Sequence, residues 1–357
     1  MSQLRERRAR LVTQFDTHKI EAALISGLPN IRYLAGFTGS NAQLLITRDS
    51  ATLFTDPRYT VQAGEESDCR VRIVKRSLLP GVIGAIGRRQ IRRLGIEPGR
   101  MSVETLALLE KDTKKLTFTA LPPLVEQLRM LKSPEEIEAI RASVRTNSKA
   151  YAKALTRIKP TSSENDIAAE IEYWQRRYGA SGVAFASIVA AGARSALPHA
   201  QPTSEPVGTG RLLLIDIGAL QLGYCSDMTR VVHLGTPGTK AKKLYRAVLE
   251  SQLAAIDAVK PGITAGQVDR VARKVLERHG LLKQFVHSTG HGLGLEIHEM
   301  PRLGRNDKTR LQAGMAITIE PGAYVEGFGG VRIEDTVLVT DHGCEILTPT
   351  PKELVVV

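Results

Sequence analysis

No stretch of this chain approaches the roughly 20 apolar residues needed to cross a bilayer. Its first residues, MSQLRERRARLVTQF, carry charge where a secretion signal has an apolar core. A cytoplasmic protein that does not engage a membrane is therefore expected. Cysteine is scarce. Cys69, Cys225 and Cys344 are odd in number and far apart, which argues against a disulfide framework and against a closed zinc site built on paired cysteines. Aromatic residues make up only 4% of the chain, and this bears on its formal charge of +12. Such a charge invites a nucleic-acid reading, but the basic residues are scattered, as in RERRAR and GRRQIRR, with no aromatic-studded stripe among them. A solvated basic surface is the expectation, and nucleic acid is not an expected partner.

What is present is the composition of an ordinary globular enzyme, 42% hydrophobic and 24% charged over 357 residues, long enough for two domains. The first part alternates short β-rich runs (AALISG, NIRYLAG, AQLLIT, ATLFTD, CRVRIVK) with helical ones (LPGVIGAIGRRQIRRL, SVETLALLEKD), the pattern of an α/β domain. Between Leu121 and Ser133 the chain is punctuated by Pro122-Pro123 and then by Ser133-Pro134-Glu135-Glu136. Ser133 fits a helix N-cap, Pro134 the first helical position and Glu136 the capping-box acid. The expected division is an α/β domain over 1–125 and an α+β domain over 126–357.

The second domain carries a weak internal repeat. IKPTSSENDIAAEIEYWQRRYG from Ile158 matches VKPGITAGQVDRVARKVLERHG from Val259, so that Lys159 aligns with Lys260, Pro160 with Pro261 and Gly179 with Gly280. A helical run precedes each copy. A glycine-containing segment with histidine follows, His199 in SALPHA and His298 in LEIHEM, and then two strand-like runs bearing an acid pair. Two such units facing each other would bring both acid pairs to one centre.

Those acids lie at or near the ends of apolar runs: Asp216 in LLLIDIGA, Asp227 in GYCSDMTRVV, Glu320 in MAITIEPGA and Glu334 in GVRIEDTVLV. A buried carboxylate without a partner costs several kcal/mol or takes up a proton. One could belong to an edge strand or pair with an arginine such as Arg332. Four of them, with His291 in TGHGLG between the pairs, call for a shared positive charge, and two divalent cations balance them formally. Oxygen-rich donors with one imidazole suit manganese first, with cobalt, iron or zinc as alternatives. Arg332, two residues before Glu334, is expected to orient a carboxylate ligand. Arg302, in HEMPRL, pairs with a substrate carboxylate or is a solvated surface arginine. His287 is expected to be structural or to lie just outside the ligands.

LLLIDIGALQLGYCSDMTR, STGHGLGLEIHE, ITIEPGAY and GGVRIEDTVLVT resemble the metal-binding segments of the pita-bread metallopeptidases. That group holds Xaa-Pro aminopeptidases, Xaa-Pro dipeptidases (prolidases), methionine aminopeptidases and creatinase. YLAGFTGSNAQLLIT and LFTDPRYTVQA are similar to the N-terminal domain of small aminopeptidase P proteins, so the resemblance spans the chain and disfavours a methionine aminopeptidase. It implies a pita-bread catalytic domain with pseudo-twofold symmetry, a two-metal site and a homodimer. It implies as metal ligands Asp216, Asp227, His291, Glu320 and Glu334, with Glu320 doubling as general base. It assigns His199 and His298 to the oxyanion, the substrate or the leaving nitrogen. The expected reaction is hydrolysis of the bond between an N-terminal residue and proline, with an aminopeptidase favoured and a dipeptidase as the alternative. A creatinase-like hydrolase and a non-catalytic binding relative are the other readings.

Overall fold

Ala22–Ile25, an unbroken run of apolar residues, lies inside a six-stranded sheet with its four side chains buried. In the computed structural model, which describes residues 2–357, the chain falls into two compact units that divide after Arg129. In the N-terminal unit the strand order is Arg70–Ile73, Ala51–Thr55, Ala42–Thr47, Ala22–Ile25, Arg93–Ile96, Thr117–Ala120. Ala42–Thr47 pairs antiparallel with both its neighbours and the other three pairings are parallel, so the sheet is mixed. Helices Leu79–Arg88 and Val103–Asp112 contribute Val82, Ile86 and Leu109 to a core with Leu24, Leu45, Phe54 and Leu94.

Two expectations for this unit fail. NIRYLAG is not a strand; it lies in the helix Leu28–Ala35, with Pro29 in its first turn and Gly36 closing it in the left-handed region at φ 79°. Ile31, Leu34 and Ala35 bury at helical spacing, and that spacing decides against the β-branched content of the run. The helix expected over LPGVIGAIGRRQIRRL stops at Arg88. Gln90 turns at φ 55°, and the remainder enters the strand Arg93–Ile96 beside Ala22–Ile25.

The C-terminal unit is built twice over. Helix Pro134–Leu155 starts at the Ser133/Glu136 capping box and packs on Glu164–Arg177; Thr239–Asp257 packs in the same way on Ala265–Arg278. The second helix of each pair opens with a capping box of its own, Ser163/Asp166 and Thr264/Gln267. The aligned glycines Gly179 and Gly280 lie at φ 108° and 69°, where only glycine is unstrained. Each helix pair is followed by a sheet. One has the order Val355–Val356, Met228–Leu234, Arg211–Ile217, Ile188–Ala191; the other Glu299–Leu303, Gly290–Gly292, Ala316–Ile319, Asp335–Val339, Cys344–Ile346. Alternate residues of Arg211–Ile217 face opposite cores: Leu212 and Leu214 join one apolar cluster, Leu213 and Ile215 another. Among the described residues no helix is long and apolar enough to cross a membrane, and all three cysteines are free.

Candidate metal centre

Asp216 lies near the end of Arg211–Ile217 and pairs in register with Thr229 of the antiparallel strand Met228–Leu234, so Asp227 falls immediately before that strand. The second half repeats the device. Ala316–Ile319 ends one residue before Glu320, Asp335–Val339 begins one residue after Glu334, and Ile319 pairs with Asp335. Strand ends are where a carboxylate can leave an apolar ladder without breaking it. His291 comes from the short strand Gly290–Gly292, whose flanking positions admit only glycine. A Cβ at Gly290 would run into the Thr318 carbonyl and one at Gly292 into the Met300 carbonyl.

These elements converge. Asp227, His291 and Glu334 each offer a donor atom within 4.8 Å of the others. Nε2 of His291 lies 3.3 Å from Oε1 of Glu320 and 3.5 Å from Oδ2 of Asp227. Its Nδ1 donates to the Gly292 carbonyl at 2.9 Å, so the Nε2 lone pair faces the carboxylates. Asp216 joins through Arg332, which donates to its Oδ2 at 2.5 Å. The same guanidinium donates to Thr229 Oγ1 and Tyr324 Oη, and Thr229 Oγ1 donates in turn to Glu334 Oε2 at 2.7 Å. Thus Asp216 and Glu334, 118 positions apart along the chain, share one hydrogen-bonded cluster.

Electrostatically this cluster is short of positive charge. Burial, reinforced by the neighbouring acids, pushes Asp227 and Glu334 well above the ordinary carboxylate range, and burial also raises Glu320. Burial lowers His287 and His291, and partial burial together with the neighbouring His291 lowers the more exposed His298, so none of the three supplies a cation at neutral pH. Burial disfavours the charge of Arg332 too, but Tyr324 and the carboxylates around it hold its pKa well above the usual value. Oδ1 of Asp216 and Oε1 of Glu334 are buried without a hydrogen-bond partner. Unsatisfied carboxylate oxygens in dry surroundings are costly. Oxygen donors gathered beside a free imidazole lone pair fit hard or borderline divalent cations.

The other expected residues lie around this cluster. The His298 ring sits edge-on to His291, centroids 4.5 Å apart, on a side chain exposed to solvent. His199 is exposed next to Pro198, whose carbonyl accepts from Arg332 at 3.3 Å. Arg302 is the cross-strand partner of His291 and lines an open cavity of about 690 Å³ with Phe285, Val286, His287 and Arg305.

Sequence reasoning passed over several members. Tyr324 stands at the end of the quoted ITIEPGAY segment; burial pushes its hydroxyl up to about 12, and it also bonds Nε2 of His287 at 2.8 Å. Thr229 follows Asp227 by two positions. Asp269, fully buried in Ala265–Arg278, accepts from Thr289 N and Oγ1 and pairs with Arg273, which donates to the carbonyls of Phe285 and His287. Only the helical i, i+4 spacing of Asp269 and Arg273 was legible, and that spacing is common on exposed helices.

A twice-built α+β unit whose carboxylates and imidazole meet at the strand ends defines the catalytic fold of a pita-bread metallopeptidase. Residues 138–341 match the model of metallopeptidase family M24, and residues 7–131 that of the creatinase/prolidase N-terminal domain. The chain belongs to metallopeptidase family M24. It is 38% identical to an Xaa-Pro dipeptidase of Pyrococcus horikoshii over 356 residues, 99% of this chain and all of that protein. Among solved structures it is similar to an Xaa-Pro dipeptidase from Bacillus anthracis, with a TM-score of 0.97 and 36% identity over 99% of this chain and all of that one. It is also similar to an X-Pro aminopeptidase from Thermotoga maritima, with a TM-score of 0.92 and 37% identity over 98% of this chain and 99% of that one.

Proposed function

We propose that this protein is a metal-dependent Xaa-Pro dipeptidase, a prolidase. Full-length similarity to the Pyrococcus horikoshii and Bacillus anthracis dipeptidases moves the balance from the aminopeptidase favoured by the sequence to its alternative. The observation that carries the reading is the carboxylate cluster with its orphaned oxygens, which fits a pair of divalent cations, manganese first. Asp216, Asp227, His291, Glu320 and Glu334 would hold them. When bound, the cations supply an acidified water and polarise the scissile carbonyl.

This chain's own groups do the rest. Glu320, its pKa raised by burial, takes the proton of the attacking water. Arg332 fixes Asp216, Thr229 and Tyr324 in one orientation, so the donors stay aimed at the centre. His298 and His199, both exposed, reach the substrate from the open side, one stabilising the developing oxyanion and the other the leaving nitrogen. Arg302 and Arg305 line the cavity that also takes in His287, and their charge suits the free carboxylate of a dipeptide's second residue. A proline amide has no N–H, so the site needs no acceptor there.

The test is an assay of manganese-loaded protein on Xaa-Pro dipeptides and on Xaa-Pro-Yaa peptides. Cleavage of dipeptides in preference to longer peptides supports the proposal. A preference for the longer peptides makes the protein an aminopeptidase, and no cleavage of either returns it to a creatinase-like or non-catalytic relative.

A further inference from the structure

Lys132 and Glu299 form an ion pair of 3.0 Å whose side chains are only 1% and 5% exposed, and no step above uses it. Such pairs are poor stabilisers. Desolvating two charges costs about as much as their attraction returns, and an apolar pair of similar volume often does as well. What a buried pair does provide is fixed geometry, so its surroundings decide what it fixes.

Glu299 directly follows His298. Its Oε1 accepts from Glu296 N at 3.1 Å, closing the tight loop 294–299 on itself. The carboxylate packs so closely under that loop that a Cβ at Gly294 would lie 2.8 Å from either of its oxygens. The Gly294 carbonyl accepts from Cys225 N at 2.7 Å, two residues before Asp227. On the other side, Lys132 is held by its main chain. Its N–H donates to the Gly314 carbonyl at 2.9 Å, and Leu131 bridges to Met315 at the start of the strand that leads to Glu320. The pair therefore clamps the loop that carries His298 to the strand that leads into Glu320.

We infer that Lys132 is a positioning residue: through Glu299 it fixes the loop that sets His298 over the metal centre. This rests on the assignment of His298 to the substrate side of the site. The side chain of His298 is itself exposed, so its placement depends on the backbone beneath it.

The experiment compares Lys132→Met, Lys132→Arg and Glu299→Gln, each also in a His298→Ala background. Turnover of an Xaa-Pro dipeptide is measured at matched manganese occupancy, and amide hydrogen exchange across 293–303 is followed on metal-stripped protein. Lys132→Met should lower kcat by about tenfold or more, the scale at which small misplacements act, with Lys132→Arg recovering most of the loss. In the His298→Ala background the same change should have less than about twofold effect, because coupled residues are non-additive. Exchange over 293–303 should accelerate while the N-terminal sheet keeps its protection. Equal losses in both backgrounds, or unchanged exchange, overturn the inference. If Lys132→Met does not fold, Glu299→Gln, which keeps shape and an acceptor, decides by the same criteria. Wild-type protein inert on all Xaa-Pro peptides sinks the dipeptidase reading instead, and the exchange arm still decides whether the pair holds the loop.

Discussion

Arg332 shows what one side chain contributes at this site. Four of its N–H bonds reach Asp216, Thr229, Tyr324 and the Pro198 carbonyl, a fan that lysine cannot reproduce. Arg332→Lys keeps the charge and loses the fork. Manganese affinity measured by titration calorimetry should fall about 10- to 100-fold, the usual cost of losing a ligand-orienting partner; unchanged affinity would remove Arg332 from that role. Glu320→Gln tests a different property. It keeps size and one acceptor but cannot take a proton, so kcat should drop by at least about 100-fold in metal-loaded protein. A variant that retains peptidase activity contradicts the assignment of Glu320 as base.

At the scale of elements, the strand Met228–Leu234 does more than present Asp227. Arg230, 2% exposed, donates to the Glu334 carbonyl, to Asp335 and to the carbonyls of Thr350 and Pro351, while Lys352 and Gln252 complete the shell of Asp335. This network ties the C-terminal tail to the backbone that carries a proposed ligand. Arg230→Met leaves Asp335 less well compensated and several carbonyls unpaired, and should cost about 3–5 kcal/mol in urea unfolding; a loss under 1 kcal/mol would mean that Lys352 alone balances the acid. The legibility of elements divides along the same physical line. The Ser133 capping box was readable because caps are local, with all partners within three residues. NIRYLAG was misread because short apolar runs suit helix and strand alike, and the burial of Ile31, Leu34 and Ala35 at helical spacing decided it. The Arg230 network could not be read, since its partners lie more than 100 positions away.

For the whole molecule, the buried carboxylates link metal, pH and stability. In metal-stripped protein Asp227, Glu320 and Glu334 have folded pKa values above their unfolded ones. The native state then holds more protons than the unfolded state, so stability falls as pH rises from the unfolded carboxylate range through the raised folded values. His287, His291 and His298 act oppositely: their lowered pKa values cost stability only as pH falls below the ordinary 6.5. Above about pH 6.5 the histidines no longer oppose the carboxylates. The melting temperature of stripped protein should decline with rising pH as these raised carboxylates ionise, and manganese should abolish most of the decline. Manganese at about 100 times its Kd should add roughly 2.7 kcal/mol to stability, provided it binds only the folded state. A pH-independent melting temperature in stripped protein would mean that the carboxylates are already compensated. Sedimentation should give twice the chain mass if the expected homodimer forms.

The sequence alone determined which residues could serve. Acids at the ends of apolar strands, a histidine between glycines and a repeat that aligns Gly179 with Gly280 are patterns of neighbours, and local chemistry writes them legibly. Only the tertiary structure decided which of them meet and what holds them there. It placed Asp216 against Arg332, left Oδ1 of Asp216 and Oε1 of Glu334 without partners, and set His298 beside His291 above a loop closed by Glu299. The reason is physical. Convergence and desolvation are properties of contacts between distant parts of the chain, and a residue's charge state follows from what surrounds it, which no window of sequence contains.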